Sequence, residues 1–201
     1  MFDIFPLENK GVLKGMVPRD IYNSLMGEII EIEMYGSSDK WSGNLAGLLE
    51  KEYRLKKSTS SLRPFLIDMG REYGRVFNQD LESINGDLET GDIWVNFQKK
   101  NEYNPMHLHN GILSFVIWMK IPYKISDEQQ LKNVENSKGK DAAASFEFTY
   151  TTIVGEMASH NIPVEDGWEG RIIMFPNKLM HQVYPFRTSD GYRISISGNL
   201  F

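Results

Sequence analysis

The 201-residue chain is 41% hydrophobic and 24% charged, ordinary for a globular domain and long enough to bury a core. A net charge of -5 argues against a nucleic-acid backbone as partner, and the absence of cysteine excludes disulfides, thiolate nucleophiles and Cys-ligated zinc or iron–sulfur sites. The opening MFDIFPLENK has no basic region followed by a long apolar stretch, and no run approaches the roughly 18 residues of a membrane span, so a soluble, cytoplasmic protein is expected.

Between Val17 and Met34, Ile21, Leu25, Ile29 and Ile32 recur at helical spacing, with Pro18 suited to a first turn. A turn-rich connection, YGSSDKWSGN, leads to LAGLLEKEYRL, which reads as a short helical piece or an ordered loop. From Ser61 to Asn78, Leu62, Phe65, Leu66, Met69, Tyr73, Val76 and Phe77 form a second helical stripe. Both stripes are expected to cover one face of a sheet.

After Gly86 the texture changes to short β-rich runs near 92–100, 106–110, 112–121, 145–151, 171–175, 181–185 and 192–199. Their number and spacing suit a jelly-roll barrel. The expectation is one mainly β domain over 1–201, with a mainly helical part before residue 87 and the barrel after it. Ser126 to Ala144 is polar and reads as an insertion, either a surface excursion or a flap over a site.

The chain has four histidines, and two of them stand in NPMHLHNG. On an extended strand, His107 and His109 share a face and could converge on one metal ion. Pro176 ends the run Arg171 to Phe175 and forces a turn, so His181 begins the next strand at a barrel rim. Twelve residues further comes Arg193, followed on the same face by Ser195; a guanidinium fork beside a hydroxyl suits a carboxylate, although a solvent-facing Arg–Ser row is the alternative. Asn96 and Gln98 share a strand face with Trp94 and could meet a small-molecule acid or a substrate. His160 lies in a polar stretch and reads as a surface residue.

FPNKLMH, the later Arg193-Ile194-Ser195, and NPMHLHNGILSFVIWMKIP together resemble the 2-oxoglutarate and Fe(II)-dependent oxygenase superfamily, in particular a group found in phages and bacteria, and NLAGLLEKEYRL extends the likeness upstream. The resemblance implies a double-stranded β-helix, Fe(II) on His107 and His181, and 2-oxoglutarate with its distal carboxylate on Arg193 and Ser195. His109 stands where the superfamily usually has Asp or Glu, so the implied triad is three histidines, unless a carboxylate such as Glu147 completes it. The expected reaction is hydroxylation of a substrate C–H bond coupled to 2-oxoglutarate decarboxylation. The alternatives are a cupin-like three-histidine metalloprotein that does not use 2-oxoglutarate, and a non-catalytic jelly roll. The substrate is open, and so is assembly into a homo-oligomer.

Overall fold

A computed structural model describes residues 10–81 and 86–201. Most of the N-terminal decapeptide read for a leader lies outside the described residues. Two antiparallel sheets face each other. The larger has six strands in the order β1 (Leu13–Met16), β8 (Arg171–Pro176), β5 (Leu113–Lys120), β10 (Arg193–Leu200), β3 (Thr90–Gln98) and β2 (Lys51–Arg54). The smaller runs β4 (Asn104–His107), β9 (Met180–Val183), β6 (Phe146–Thr151) and β7 (Met157–Ile162). This is a jelly roll, as the strand-rich second half predicts.

The two helical stripes form α1 (Arg19–Tyr35) and α2 (Thr59–Val76). Ile21, Leu25, Ile29 and Ile32 of α1 and Leu62, Leu66, Met69 and Tyr73 of α2 are all buried. They pack with Val95, Phe97, Ile117, Ile172, Ile194 and Ile196 in a core between the helices and the outer face of the larger sheet. A second core lies between the sheets, where Val116, Trp118, Phe146, Phe148, Ile173 and Phe175 meet. Strand alternation sends neighbouring residues of β5 and β8 to different cores, and those of β10 alternately to the helix-side core and to the space between the sheets. Tyr22 of α1 also donates to the Met119 carbonyl at 2.9 Å, tying the helix layer to β5.

Three short strands depart from the sequence reading. β1 and β2 add the two edges of the larger sheet, so the mainly helical part also completes the β layer. LAGLLEKEYRL is therefore neither helix nor plain loop: it contains β2, in which Tyr53 faces the helix-side core and Glu52 the opposite side. β7 lies in the stretch taken as a polar loop, and leaves His160 exposed as expected.

The insertion is anchored. Its short helix α3 (Ile125–Gln129) carries Glu128, which is fully buried and accepts hydrogen bonds from the backbone N–H groups of Arg187 at 2.9 Å and Thr188 at 2.7 Å and from the Thr188 hydroxyl at 2.6 Å. Ala144 at its far end is also buried. The segment is thus a wall held to the β9–β10 connection. Glu128→Ala is expected to destabilise the fold by about 3 kcal/mol, because charge-assisted bonds are lost and buried donors are left unpaired. The urea midpoint measures this, with the slope unchanged.

Candidate metal and co-substrate site

The cavity between the sheets is lined by His107, His109 and His181, by Trp94, Asn96 and Gln98 of β3, and by Arg193, Ser195 and Ser197 of β10.

His107 and His181 are direct cross-strand partners on β4 and β9. β4 ends at His107; the chain continues extended enough for His109 to return to the same side. The His109 backbone is held at both ends of its peptide: its N–H donates to the Asn177 carbonyl at 3.0 Å, and its carbonyl accepts from the Asn177 amide at 3.0 Å. Two residues later Gly111 has φ +98°, and a Cβ there would sit 2.5 Å from the Leu200 carbonyl oxygen, so only glycine lets the chain leave the histidine pair and enter β5. Ring centroids of the three imidazoles lie 4.3–5.0 Å apart, and their ligating nitrogens all lie within 4.8 Å of one another.

Two tautomers are fixed by the backbone. His107 Nδ1 contacts the Pro105 carbonyl at 2.6 Å and His181 Nδ1 the Leu179 carbonyl at 2.9 Å, which assigns the proton to Nδ1 and turns the Nε2 lone pair to the cluster. Burial lowers the pKa of His107. Burial, and then the nearby His107, bring His109 down to about 4. Burial, His107 and His109 take His181 to about 3 against the opposing Leu179 carbonyl. All three rings are therefore neutral at physiological pH. Three convergent neutral imidazoles are a fitting donor set for Fe(II).

Glu147 does not belong to this set. Strand alternation places Phe146, and not Glu147, on the cavity side of β6, with the Phe146 ring stacked on His181 at 5.4 Å. Glu147 accepts instead from the Gln182 amide at 2.6 Å. Among the described residues, the group able to hold a metal consists of the three histidines alone. Glu147→Gln is expected to leave Fe(II) affinity within about twofold of wild type, since a charge outside the ligand set contributes little through a screened path; a large loss in a metal titration would contradict the geometry.

From the histidines, the inward residues of β3 and β10 form successive cross-strand pairs: Trp94 with Ser197, Asn96 with Ser195, Gln98 with Arg193. The Trp94 ring lies 6.1 Å from that of His109. The Asn96 amide approaches Ser195 Oγ at 3.3 Å and Ser197 Oγ at 3.4 Å. Arg193 is only 2% exposed, which rules out a solvent-facing row. Its Nε and Nη2 donate to Gln98 Oε1 at 3.1 and 2.7 Å, Nη1 to the Tyr123 hydroxyl at 2.7 Å and the Ala144 carbonyl at 2.8 Å, and Nη2 to the Tyr184 carbonyl at 2.7 Å. Every one of these acceptors is neutral. Among the described residues the guanidinium is hydrogen-bonded but makes no ion pair, and a buried cation in that state suits an incoming carboxylate.

Sequence reasoning missed Tyr123, Asn177 and Glu52. Tyr123 and Asn177 act through turns whose closure pattern does not show. Glu52 was discoverable: in KEYRL, Tyr53 and Leu55 alternate as buried residues, which turns Glu52 inward if the segment is a strand.

A neutral triad of imidazoles, followed along one strand pair by a buried arginine, defines a jelly roll that pairs a metal-ligand set with a cationic group suited to an anion. Comparison with known families makes this specific. Residues 92–199 match the family described as "Putative 2OG-Fe(II) oxygenase", more than half of the chain. The protein belongs to this family of Fe(II)- and 2-oxoglutarate-dependent oxygenases. Among solved structures it is similar to a prolyl-4-hydroxylase from Pseudomonas putida, with TM-score 0.57 and 13% identity over 94% of this chain and 91% of that one. It is also similar to a viral collagen prolyl hydroxylase from Paramecium Bursaria Chlorella virus-1 in its 2OG complex, with TM-score 0.53 and 11% identity over 94% of both chains. The epimerase SnoN from nogalamycin biosynthesis matches with TM-score 0.56 and 11% identity over 96% of this chain and 78% of that one. At these identities the likeness is one of fold. No curated protein matches in sequence. No helix among the described residues is long and apolar enough to cross a membrane.

Proposed function

We propose that this oxygenase hydroxylates a substrate C–H bond, with His107, His109 and His181 holding Fe(II) and with Arg193, Ser195 and Asn96 holding 2-oxoglutarate. The observation that carries the reading is Arg193, a buried guanidinium with neutral hydrogen-bond partners and no ion pair among the described residues, in the cavity that also contains the imidazole cluster. When bound, Fe(II) and 2-oxoglutarate supply the oxidising chemistry: with O2, the co-substrate becomes succinate and CO2, and one oxygen atom goes to the substrate.

The chain's own residues bind and orient. The Pro105 and Leu179 carbonyls keep His107 and His181 in the ligating tautomer. Burial keeps protons off all three rings, so protons do not compete with the metal near neutral pH. Arg193 can offer its fork to a carboxylate by exchanging the bonds to the Gln98 and Tyr123 side chains, while the Ala144 and Tyr184 carbonyls keep it in place. Ser195 and Asn96, on the adjoining pair, add polar groups between the arginine and the metal ligands. Trp94, Val116, Trp118 and Phe146 line the same cavity and exclude water from it.

The three-histidine set alone would equally suit a cupin-like enzyme. Arg193 favours the 2-oxoglutarate reading, because a site that does not take an anion has no use for an unbalanced buried cation. The reading takes residues 1–201 as one cytoplasmic domain, consistent with the lack of cysteine, and takes the substrate as something other than nucleic acid, consistent with the net charge of -5. The test is an anaerobic titration of the protein with Fe(II) and 2-oxoglutarate. A visible charge-transfer band saturating at one equivalent of each is expected; folded protein that binds iron but gives no band and no succinate on exposure to oxygen would defeat the proposal.

A further inference from the structure

All the buried side-chain oxygens that lack a hydrogen-bond partner among the described residues lie on Ser42, Glu52, Asn96 and Asn104. Glu52, Asn96 and Asn104 line the cavity. Glu52 pairs with Asn96 across β2 and β3, on the same level as Ser195, so its carboxylate enters beside the middle of the cavity. Glu52 is 1% exposed and both of its carboxylate oxygens are unpartnered. Oε1 and the Asn104 Oδ1 each lie 2.8 Å from where a Cβ on Gly47 would be, so the absence of a side chain at Gly47 leaves a small cradle bounded by these two acceptors.

The nearby cations are engaged elsewhere. Lys99 pairs with Glu50, Arg54 with Asp92, and Arg193 donates to Gln98, Tyr123, Ala144 and Tyr184. Two of these oxygens, Glu52 Oε1 and Asn104 Oδ1, close on the space over Gly47, and the second Glu52 oxygen and Asn96 Oδ1 are also unpartnered among the described residues, with the Ser42 hydroxyl the one donor-bearing group beside Glu52, at a cost that burial makes large. The Glu52 carboxylate repels another carboxylate, so these oxygens do not serve the co-substrate, which Asn96 would meet through its amide N–H on the Ser195 side. They match a ligand that brings several N–H donors and a positive charge.

We propose that Glu52, with the amide oxygens of Asn96 and Asn104, receives a protonated amine or guanidinium on the substrate of this oxygenase, an inference that rests on the oxygenase reading above. The substrate is thereby a cationic nitrogen compound or a basic side chain, with the charge seated beside β2 and the reacting C–H bond directed to the histidines. The state of Glu52 agrees: burial pushes its pKa up to about 7, the Ser42 hydroxyl opposes the shift from outside hydrogen-bond geometry, and Glu102 adds to it. A bound cation would remove that penalty.

The test uses metal-free full-length protein at pH 8, where Glu52 is ionised, titrated calorimetrically with n-butylammonium, n-butylguanidinium and neutral butyramide. At least one cation is expected to bind tenfold or more tightly than butyramide, and Glu52→Gln should abolish that preference. Gly47→Ala, which fills the cradle without changing a charge, should weaken the cation by a similar factor and covers the case in which Glu52→Gln fails to fold. The anaerobic Fe(II) and 2-oxoglutarate titration of Glu52→Gln should match wild type. Equal binding of butyramide, an unchanged preference in Glu52→Gln, or a weakened 2-oxoglutarate titration in that variant would overturn the inference, the last by assigning Glu52 to the co-substrate. Loss of the charge-transfer band in wild type would overturn the oxygenase reading and the substrate role with it, whereas a missing cation preference beside normal 2-oxoglutarate binding overturns this inference alone.

Discussion

Replacing His181 with alanine is expected to weaken Fe(II) binding by on the order of a hundredfold or more, exceeding the effect of losing an outer-shell partner. His181 is the most buried of the three imidazoles, its tautomer is set by Leu179, and Phe146 and Phe175 hold its ring at 5.4 and 5.0 Å. Alanine also leaves a void among those rings, with a stability loss of about 2–4 kcal/mol by analogy with other large-to-small changes. His181→Gln, closer in volume, separates the two effects: metal titration should fail in both variants, and the urea midpoint should recover partly in the second. The same cluster governs acid sensitivity. In the unfolded chain a histidine titrates near about 6.5, whereas folded His109 and His181 titrate at about 4 and about 3. The unfolded state therefore binds more protons at these two rings across that interval, so their contribution to metal-free stability is fully present above about pH 6.5 and is lost progressively as pH falls toward 4 and then 3, while Glu52, pushed up from 4.5 to about 7, works in the opposite direction between those values. Denaturation midpoints of the Glu52→Gln variant, which removes that opposing carboxylate, should decline from pH 7 to pH 4, and a ligating metal should delay the decline. A flat profile would show that the rings are not buried neutral.

Arg193→Ala is expected to weaken 2-oxoglutarate by about 2 kcal/mol or more, roughly thirtyfold, while Fe(II) affinity stays near wild type. The variant has a second effect, because the guanidinium also joins Gln98 on β3, Ala144 at the end of the insertion and Tyr184 after β9. Removing it takes the donor from Gln98 Oε1 and the Tyr184 carbonyl, each at about 1–3 kcal/mol, while the Ala144 carbonyl keeps the Tyr123 hydroxyl at 3.1 Å, so a drop in stability accompanies the loss of binding. Arg193→Lys keeps the charge without the fork and should fall between wild type and alanine in 2-oxoglutarate affinity. The anaerobic charge-transfer titration reads the co-substrate directly, and an unchanged dissociation constant in Arg193→Ala would remove this residue from the site.

The parts of the molecule with strong periodicity were readable from the chain. Ile21 to Ile32 and Leu62 to Tyr73 repeat at helical spacing because they bury one stripe each, and the alternation of Arg193, Ile194, Ser195 and Ile196 separates a polar from an apolar face. The histidine cluster was legible for the same reason, since extended backbone carries His107 and His109 to one side. Pattern alone left open which face of β10 turned inward, because a barrel interior can be polar or apolar. The short edge strands were not legible. Four residues give too few alternations for β1 or β2, and β7 is polar because it is an exposed edge. Missing β2 meant missing Glu52. The insertion read as unanchored because its main tether, Glu128, is a charged residue whose partners are backbone groups sixty residues away.

The two faces of β10 have a consequence for how this protein can change. Ile194 and Ile196 are completely buried against the helix layer, while Arg193 and Ser195 face the cavity. A slip of one residue against β3 would carry the guanidinium into hydrocarbon and isoleucine into the polar cavity, so the helices fix the alignment of a surface they do not touch. Inward positions such as Trp94 and Glu52 can accordingly change and retune which substrate is bound, because the alignment does not depend on them. A polar substitution at Ile194 or Ile196, remote from any ligand, would instead disturb recognition by loosening the strand's gauge.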